Sequence, residues 1–381
     1  MKNIYAIGVG LIGGSLAIDI KKNNPDVVIH GISRKDSTLD KALELKLIDK
    51  KATLDDIENA DLVIVSIPVD ATVKLLPTIL DKVSDTGLVV DAGSTKEDIC
   101  KAVENHPKRR NFLAMHPIAG TEHSGPTAAI EGLFQGKTNI VCEVEKTTFK
   151  LQEKALKLFT DIGMRIRYMN PVDHDKHIAY VSHLSHISAF MLGKTVIEKE
   201  KNERDIFDMA GSGFASTVRL AKSSPEMWTP IFKQNKTNVI ETLEEYINNL
   251  AHFKKLMEKD DFEAIFSEIE STNHIKDILK VSDKMSIDLI NKKLEYLINN
   301  ENDLFTYNLD KKIFMINFAL FSALSTFYFT MFFTPGPNNI ILSTTAIKYG
   351  FYKTIPQIFG IFFGFLSMLT ICLFGLGKIF L

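Results

Sequence analysis

The chain is poor in cysteine, carries no excess of either charge and contains no internal repeat. Cys100, Cys142 and Cys372 are scattered without metal-ligand spacing or a disulfide framework, which points to a reducing compartment. With 45 Lys+Arg against 47 Asp+Glu there is no net field to hold nucleic acid or an acidic surface. A strand-like segment begins at once, without a basic and then apolar leader, so no signal peptide is expected. Towards the other end charge itself disappears: residues 313–333 and 354–377 hold no charged side chain. Each stretch reaches the roughly 20 residues that span a bilayer core. A Phe-rich run with no polar face does not suit a half-exposed helix. The pattern predicts two membrane segments.

What is present upstream is ordered. A chain of 381 residues has room for two domains and a sizeable core. Short apolar or β-branched runs at 3–8, 27–32, 62–67, 88–91, 112–115 and 139–144 alternate with amphipathic stretches. That alternation predicts an α/β fold, a Rossmann-type doubly wound parallel sheet with crossover helices. From about 173 to 279 the strand signal gives way to helical spacing, as in 177–200 and 233–257. The expected organisation is a Rossmann-type α/β domain over 1–170 and an all-α domain over 171–280. A linker follows over 281–312, then a hydrophobic membrane tail over 313–381.

Gly8-Val9-Gly10-Leu11-Ile12-Gly13 follows the first strand and opens a helix. In that context the first glycine permits a tight turn and the second admits backbone to a pyrophosphate. The third lets helix and strand pack closely, and the helix N-terminus favours the phosphate charge. NAD sites usually place an acid at the end of the second strand; here Ser33 stands there with Arg34 beside it. Hydroxyls and a guanidinium suit a 2′-phosphate, so the reading leans to NADP, with NAD retained because Asp36 is near enough to meet a ribose. Ile67 and Pro68, at the end of the 62–67 strand, sit where loops line a dinucleotide cleft.

Asp91-Ala92-Gly93-Ser94 and His116-Pro117-Ile118-Ala119-Gly120-Thr121-Glu122-His123-Ser124-Gly125 end consecutive strands, on the carboxyl edge where such sheets bind ligands. His116 is the candidate base. Downstream, Ser182-His183-Leu184-Ser185-His186 puts two histidines at i, i+3 on one helix face. They lack a third ligand at suitable spacing, and no metal site is expected.

Taken together, the Gly8–Gly13 loop, Asp91–Ser94, the His116 run, Ser182–His186, Gly211-Ser212-Gly213-Phe214 and Thr217-Val218-Arg219-Leu220-Ala221 resemble the prephenate dehydrogenase family of tyrosine biosynthesis, over roughly residues 1–279. The resemblance implies oxidative decarboxylation of prephenate to 4-hydroxyphenylpyruvate and CO2 with hydride transfer to NAD(P)+. It implies that His116 accepts from the substrate hydroxyl, that Ser94 positions it, and that Arg219 binds carboxylate. His183, His186, Thr121 and Glu122 would line the pocket, Glu122 in a gating or orienting role, while His123 receives none. It also implies a homodimer. Ser185 stands where the family often has proline, and Ser212 interrupts a glycine run; both touch pocket shape rather than reactive groups. Arogenate dehydrogenase, whose substrate carries an amine in place of the keto oxygen, is the enzyme alternative.

Phe333-Thr334-Pro335-Gly336-Pro337-Asn338-Asn339 in the tail resembles the first helix of LysE/RhtB-type amino-acid exporters. Two segments fall short of that family's transport path, so the tail reads either as a membrane anchor or as translated sequence from an adjoining reading frame. The expected location is cytoplasmic for the enzyme part and membrane-inserted for the tail. A transport or membrane-interaction protein whose soluble part senses nucleotide is the alternative of another class.

Overall fold

The computed structural model describes residues 1–277 and Leu279. Residues Met1–Ile265 form one compact unit; of the next, only the stretch adjoining it is described. The linker, both apolar stretches and the exporter-like motif lie outside the described residues, and among the described residues no helix is long and apolar enough to cross a membrane.

An eight-stranded sheet organises the first part. Its strands are β1 (Asn3–Ile7), β2 (Val28–Ile32), β3 (Lys50–Lys51), β4 (Leu62–Val65), β5 (Leu88–Asp91), β6 (Phe112–Pro117), β7 (Thr138–Cys142) and β8 (Arg165–Met169). The spatial order is β3-β2-β1-β4-β5-β6-β7-β8. Helices α1 (Leu11–Asn23), α2 (Asp36–Glu44), α3 (Val69–Lys82), α4 (Glu97–Ala102) and α5 (Phe149–Asp161) follow β1, β2, β4, β5 and β7. Leu62-Val63-Ile64-Val65 is wholly buried, as expected of a central strand covered on both faces. Alternation then divides the core. Leu62, Ile64, Leu88, Val90, Leu113 and Met115 pack on one face, and Val63, Val65, Val89, Phe112 and Ala114 on the other. The same period of two puts Asp91 and His116 on the second face, the one that Trp228 and Ile231 help to cover.

Two features depart from the expected parallel sheet. β6 and β7 pair antiparallel, and β8 runs parallel to β7. The connection from β6 to β7 contains the turn-rich His116 run and a 3₁₀ turn at Pro126–Ala128 instead of a crossover helix, so the chain returns alongside in the opposite sense. β3 and β8 were not evident as strands. β3 is two exposed lysines, and Arg165-Ile166-Arg167-Tyr168-Met169 is a half-exposed edge whose charges mask the pattern.

The remainder is helical: α6 (Pro171–Ile178), α7 (Leu184–Glu200), α8 (Ser212–Thr217), α9 (Pro225–Gln234), α10 (Lys236–Glu258) and α11 (Phe262–Asn273). The expected helix at 177–200 begins earlier, at Pro171, and carries a π-helical turn at Ala179–His183. Asn170 caps α6 by accepting from the Asp173 amide at 2.8 Å, with Pro171 at the first helical position, so the entry is locally specified.

Candidate active site

The glycine loop joins β1 to α1 at the point where the strand order reverses, the usual ligand edge of such a sheet. Gly8 has φ +90°, and a Cβ on Gly13 would stand 2.1 Å from the Gly8 carbonyl oxygen, so no larger residue fits there. Ser66 donates to that carbonyl at 2.6 Å and so fixes the loop against β4. Gly10 differs: a Cβ there would meet nothing closer than the Gly125 amide nitrogen at 3.9 Å. The space above it is open, and no side chain caps the N-terminus of α1. A backbone cradle with free space beside uncapped amides fits a pyrophosphate. Ile67 and Pro68 follow on the same edge, leading into α3, and Leu11 and Ile12 open α1. Ser33 accepts weakly from the Lys35 amide at 3.3 Å, and Arg34 is exposed. Asp36 lies 3.7 Å from Lys51 in a solvent-facing pair.

The loop after His116 arches back to α1. The Ile130 amide donates to Ser15 Oγ at 2.8 Å and the Gly132 amide to Asp19 at 2.7 Å. Thr121 accepts from the His123 amide within this loop, and His123 itself is exposed.

Beneath it lies a buried polar network. Lys96, with no exposed surface, donates to Asp91 and, at 2.8 Å, to the Met115 carbonyl next to His116. A cation so placed is held by its partners, because an unpaired buried charge is expensive. His116 Nδ1 lies 2.9 Å from His174 Nε2, and His174 Nδ1 lies 2.7 Å from Asp175 Oδ1. Asp175 is fixed in turn by the amides of Lys96 and Glu97, at 2.7 and 2.9 Å, at the entry to α4. Asn235, between α9 and α10, donates to the Asp175 carbonyl at 2.6 Å and sits 3.1 Å from His183 Nδ1. Burial, then repulsion from His174, Lys96 and His183, holds the His116 imidazole well below its ordinary value. Burial lowers His174 too, against the opposing Asp175 carboxylate.

Of the residues singled out from sequence, His116 and His183 belong to this network, and His186 adjoins it. His183 sits in the π-helical turn, fully buried, its Nε2 without a partner. His186 stacks on Trp228 with ring centroids 3.6 Å apart, its Nδ1 2.9 Å from the Ser182 carbonyl. Ser94 is half-buried in the β5–α4 loop, two residues before Lys96. Arg219 and Glu122 form their own pair at 2.7 Å, bridging the His116 loop to the 3₁₀ turn Arg219–Lys222. A backbone amide and this guanidinium keep the Glu122 carboxyl below its usual range.

Sequence reasoning missed His174, Asp175, Asn235 and Trp228. Asp173-His174-Asp175-Lys176-His177 reads as a solvated helix start, yet Asn170-Pro171 ahead of it fixes the helix phase. That phase turns His174 and Asp175 inward while Asp173, Lys176 and His177 face out.

A family model described as "Prephenate dehydrogenase, nucleotide-binding domain" matches residues 16–168, and one described as "Prephenate dehydrogenase, dimerization domain" matches residues 170–271. Prephenate dehydrogenase of Bacillus subtilis is 31% identical over 288 residues, covering 74% of this chain and 78% of that protein. The chain belongs to the prephenate dehydrogenase family. The crystal structure of prephenate dehydrogenase from A. aeolicus, in complex with hydroxyphenyl propionate and NAD+, is similar at TM-score 0.67 and 32% identity, over 72% of this chain and 96% of that one. Synechocystis arogenate dehydrogenase is similar at TM-score 0.59 and 26% identity, over 72% of this chain and 99% of that one. The family matches stop at residue 271, short of the apolar tail, and the nucleotide-binding match begins just after the glycine loop.

Proposed function

We propose that this chain catalyses the oxidative decarboxylation of prephenate to 4-hydroxyphenylpyruvate and CO2, with a nicotinamide dinucleotide as oxidant. The observation that carries this reading is His116 at the end of β6, bonded to His174 on the same sheet edge as the open glycine cradle, in a chain of this family. Bound at Gly8, Gly10, Leu11, Ile12 and Gly13, the dinucleotide supplies the hydride acceptor. The protein's own part is proton handling and carboxylate binding. His116 accepts the proton of the ring hydroxyl as that carbon is oxidised to a carbonyl. Loss of the ring carboxylate as CO2 then pushes its electron pair into the ring. The carbonyl becomes a phenol and takes the proton back from His116. The proton is lent and returned, so the reaction needs no net proton release.

In this reading Ser94 orients the hydroxyl beside His116. Arg219, released from or shared with Glu122, receives a carboxylate, and His183, His186 and Thr121 line the pocket. Arg34 and Ser33, free of strong internal partners, support NADP; the NAD+ bound by the A. aeolicus relative supports NAD. Domain limits near 170 and 280 and a homodimer through the helical part accord with the dimerisation-domain match. The likeness to Synechocystis arogenate dehydrogenase supports arogenate as the alternative substrate.

The test is a spectrophotometric assay of the full chain with prephenate or arogenate and each nicotinamide cofactor. Dinucleotide reduction with prephenate is the expected result, and none with either substrate overturns the reading. The apolar pattern alone supports a membrane-inserted tail, which this chemistry does not use. Deleting residues 313–381 should leave turnover intact and raise solubility. If deletion abolishes function while His116→Ala leaves it whole, the transport alternative takes its place.

A further inference from the structure

Three side chains in line, the part-buried His116 and the buried His174 and Asp175, leave one point open that the catalytic role of His116 does not answer: which ring nitrogen carries its proton. An imidazole is a base only at the nitrogen left bare, and the partner of the other nitrogen decides which that is. The structure allows the assignment to be traced from the far end. Asp175 accepts the Lys96 and Glu97 amides and is therefore held as an acceptor, in a buried position where an unpaired carboxylate would be costly. The atom it faces, His174 Nδ1, must then be the donor. A neutral His174 protonated at Nδ1 has a bare Nε2, which accepts, so the facing His116 Nδ1 donates. His116 is left with its lone pair on Nε2.

We infer that Asp175 and His174 are positioning residues that lock His116 as the Nδ1–H tautomer and so reserve its Nε2 for the substrate hydroxyl. This deepens the proposed function and rests on it for the identity of the proton donor. Proton balance is simple. The hydroxyl proton passes to His116 Nε2, and the resulting imidazolium keeps its Nδ1–H bonded to His174 Nε2. The charge is stabilised through His174 by Asp175, and the proton returns to the phenol oxygen. No hydrogen needs to leave the network.

The groups that face this line are few. Lys96, paired with Asp91, stands on the β5–α4 side beside Met115. His183 approaches from the π-helical turn and shares Asn235 with the Asp175 backbone. Lys96 and His183 both disfavour a cation on His116. Asp175 opposes them through His174, so removing its charge should weaken the base as well as mis-set it.

Two measurements test this. The first uses the full, unaltered chain with 15N-labelled histidine. Nitrogen shifts and couplings report which ring atom is protonated, with His116 assigned by its loss in His116→Gln. A proton on Nδ1 and a bare Nε2 are expected; the opposite tautomer overturns the inference without any variant. The second is Asp175→Asn, whose amide can donate to His174 Nδ1 and reverse the order of donors. The expected loss in kcat is on the order of 10²–10⁴-fold, the range seen when a base is held in the wrong tautomer or removed. KM and dinucleotide affinity should hold, and the acidic limb of the kcat/KM profile should move. A kcat and pH profile like those of the parent chain overturn the inference, as does a kcat loss explained wholly by a lower folded fraction in a thermal melt. If the unaltered chain turns over no prephenate yet shows His116 protonated at Nδ1, the functional reading falls and the tautomer assignment stands.

Discussion

His116 shows how a weak base suits this chemistry. Burial, then the neighbouring His174 and Lys96, hold its imidazole well below the ordinary value, which favours the unprotonated acceptor near neutral pH. A base with so low a proton affinity gains its proton only as the hydroxyl carbon is oxidised and that hydrogen becomes acidic, which ties proton transfer to hydride loss. His116→Ala should therefore lower turnover by roughly 10²–10⁴-fold with dinucleotide binding intact, checked by initial rates and a binding titration; unchanged turnover would sink the role. The same burial makes a stability prediction. His183 is pulled down to about 4 from an ordinary 6.5, chiefly by burial, with Asp175 opposing. His116, His174 and His186 move in the same direction. Between these values the unfolded chain binds more protons than the folded one, so stability rises with pH and is lost as pH falls from 6.5 towards 4. The slope should approach about 1.4 kcal/mol per pH unit for each fully suppressed imidazole. Carboxylates held low, such as Glu143 beside Arg109 and Lys146, add to the loss as pH falls, whereas Asp19, raised by burial, acts in the opposite sense. Urea unfolding at pH 7, 6 and 5 measures it, and equal stabilities would contradict the buried neutral network.

Among the elements, the glycine loop offers the sharpest separation of fold from ligand binding. Gly13 meets the Gly8 carbonyl with no room for a methyl, whereas Gly10 faces open space in an ordinary backbone conformation. Gly13→Ala should destabilise the β1–α1 junction by 1–3 kcal/mol or about that order, as overpacking does, and weaken dinucleotide binding with it. Gly10→Ala should leave the melting temperature nearly unchanged while the dinucleotide dissociation constant rises at least about tenfold, since the methyl occupies the cradle. Calorimetry and fluorescence titration separate the two, and equal effects on stability would refute the distinction. This loop was legible in sequence because its spacing is local, and so were β1, β2, β4, β5 and β6, whose buried apolar runs need no tertiary context. β8 was not, because a half-exposed edge carries arginines where a central strand carries valine. The antiparallel turn into β7 was hidden for a related reason: direction depends on what the connection lacks. At the site, His116 announced itself at a strand end, but His174 and Asp175 lie 58 and 59 residues later. Only the helix phase set by Asn170 and Pro171 turns them towards it.

At the scale of the molecule, the helical part leaves apolar surface that the compact unit does not cover. In α7 only Ala189 is buried, while Met191 and Ile197 are more than half exposed. On α10, Ile240, Ile247, Leu250 and Met257 are each 44–53% exposed and recur at sevens, threes and sevens along one stripe. Polar surface would serve a solvated helix better; an apolar stripe at this period is the pattern by which helices pair. The match of residues 170–271 to a dimerisation domain accords with a second copy as the cover. A charge in the middle of the stripe should then oppose association without touching the sheet or the His116 network, because burying an unpaired carboxylate costs more than a surface contact returns. Leu250→Glu should shift sedimentation of the full chain from dimer towards monomer, most visibly at low concentration, while the fold of Met1–Ile265 keeps its circular dichroism. Ile247→Glu, one turn away on the same stripe, should do likewise. A dimer of unaltered affinity in both variants would place the contact elsewhere, whereas monomers that keep dinucleotide binding would assign the stripe to association alone.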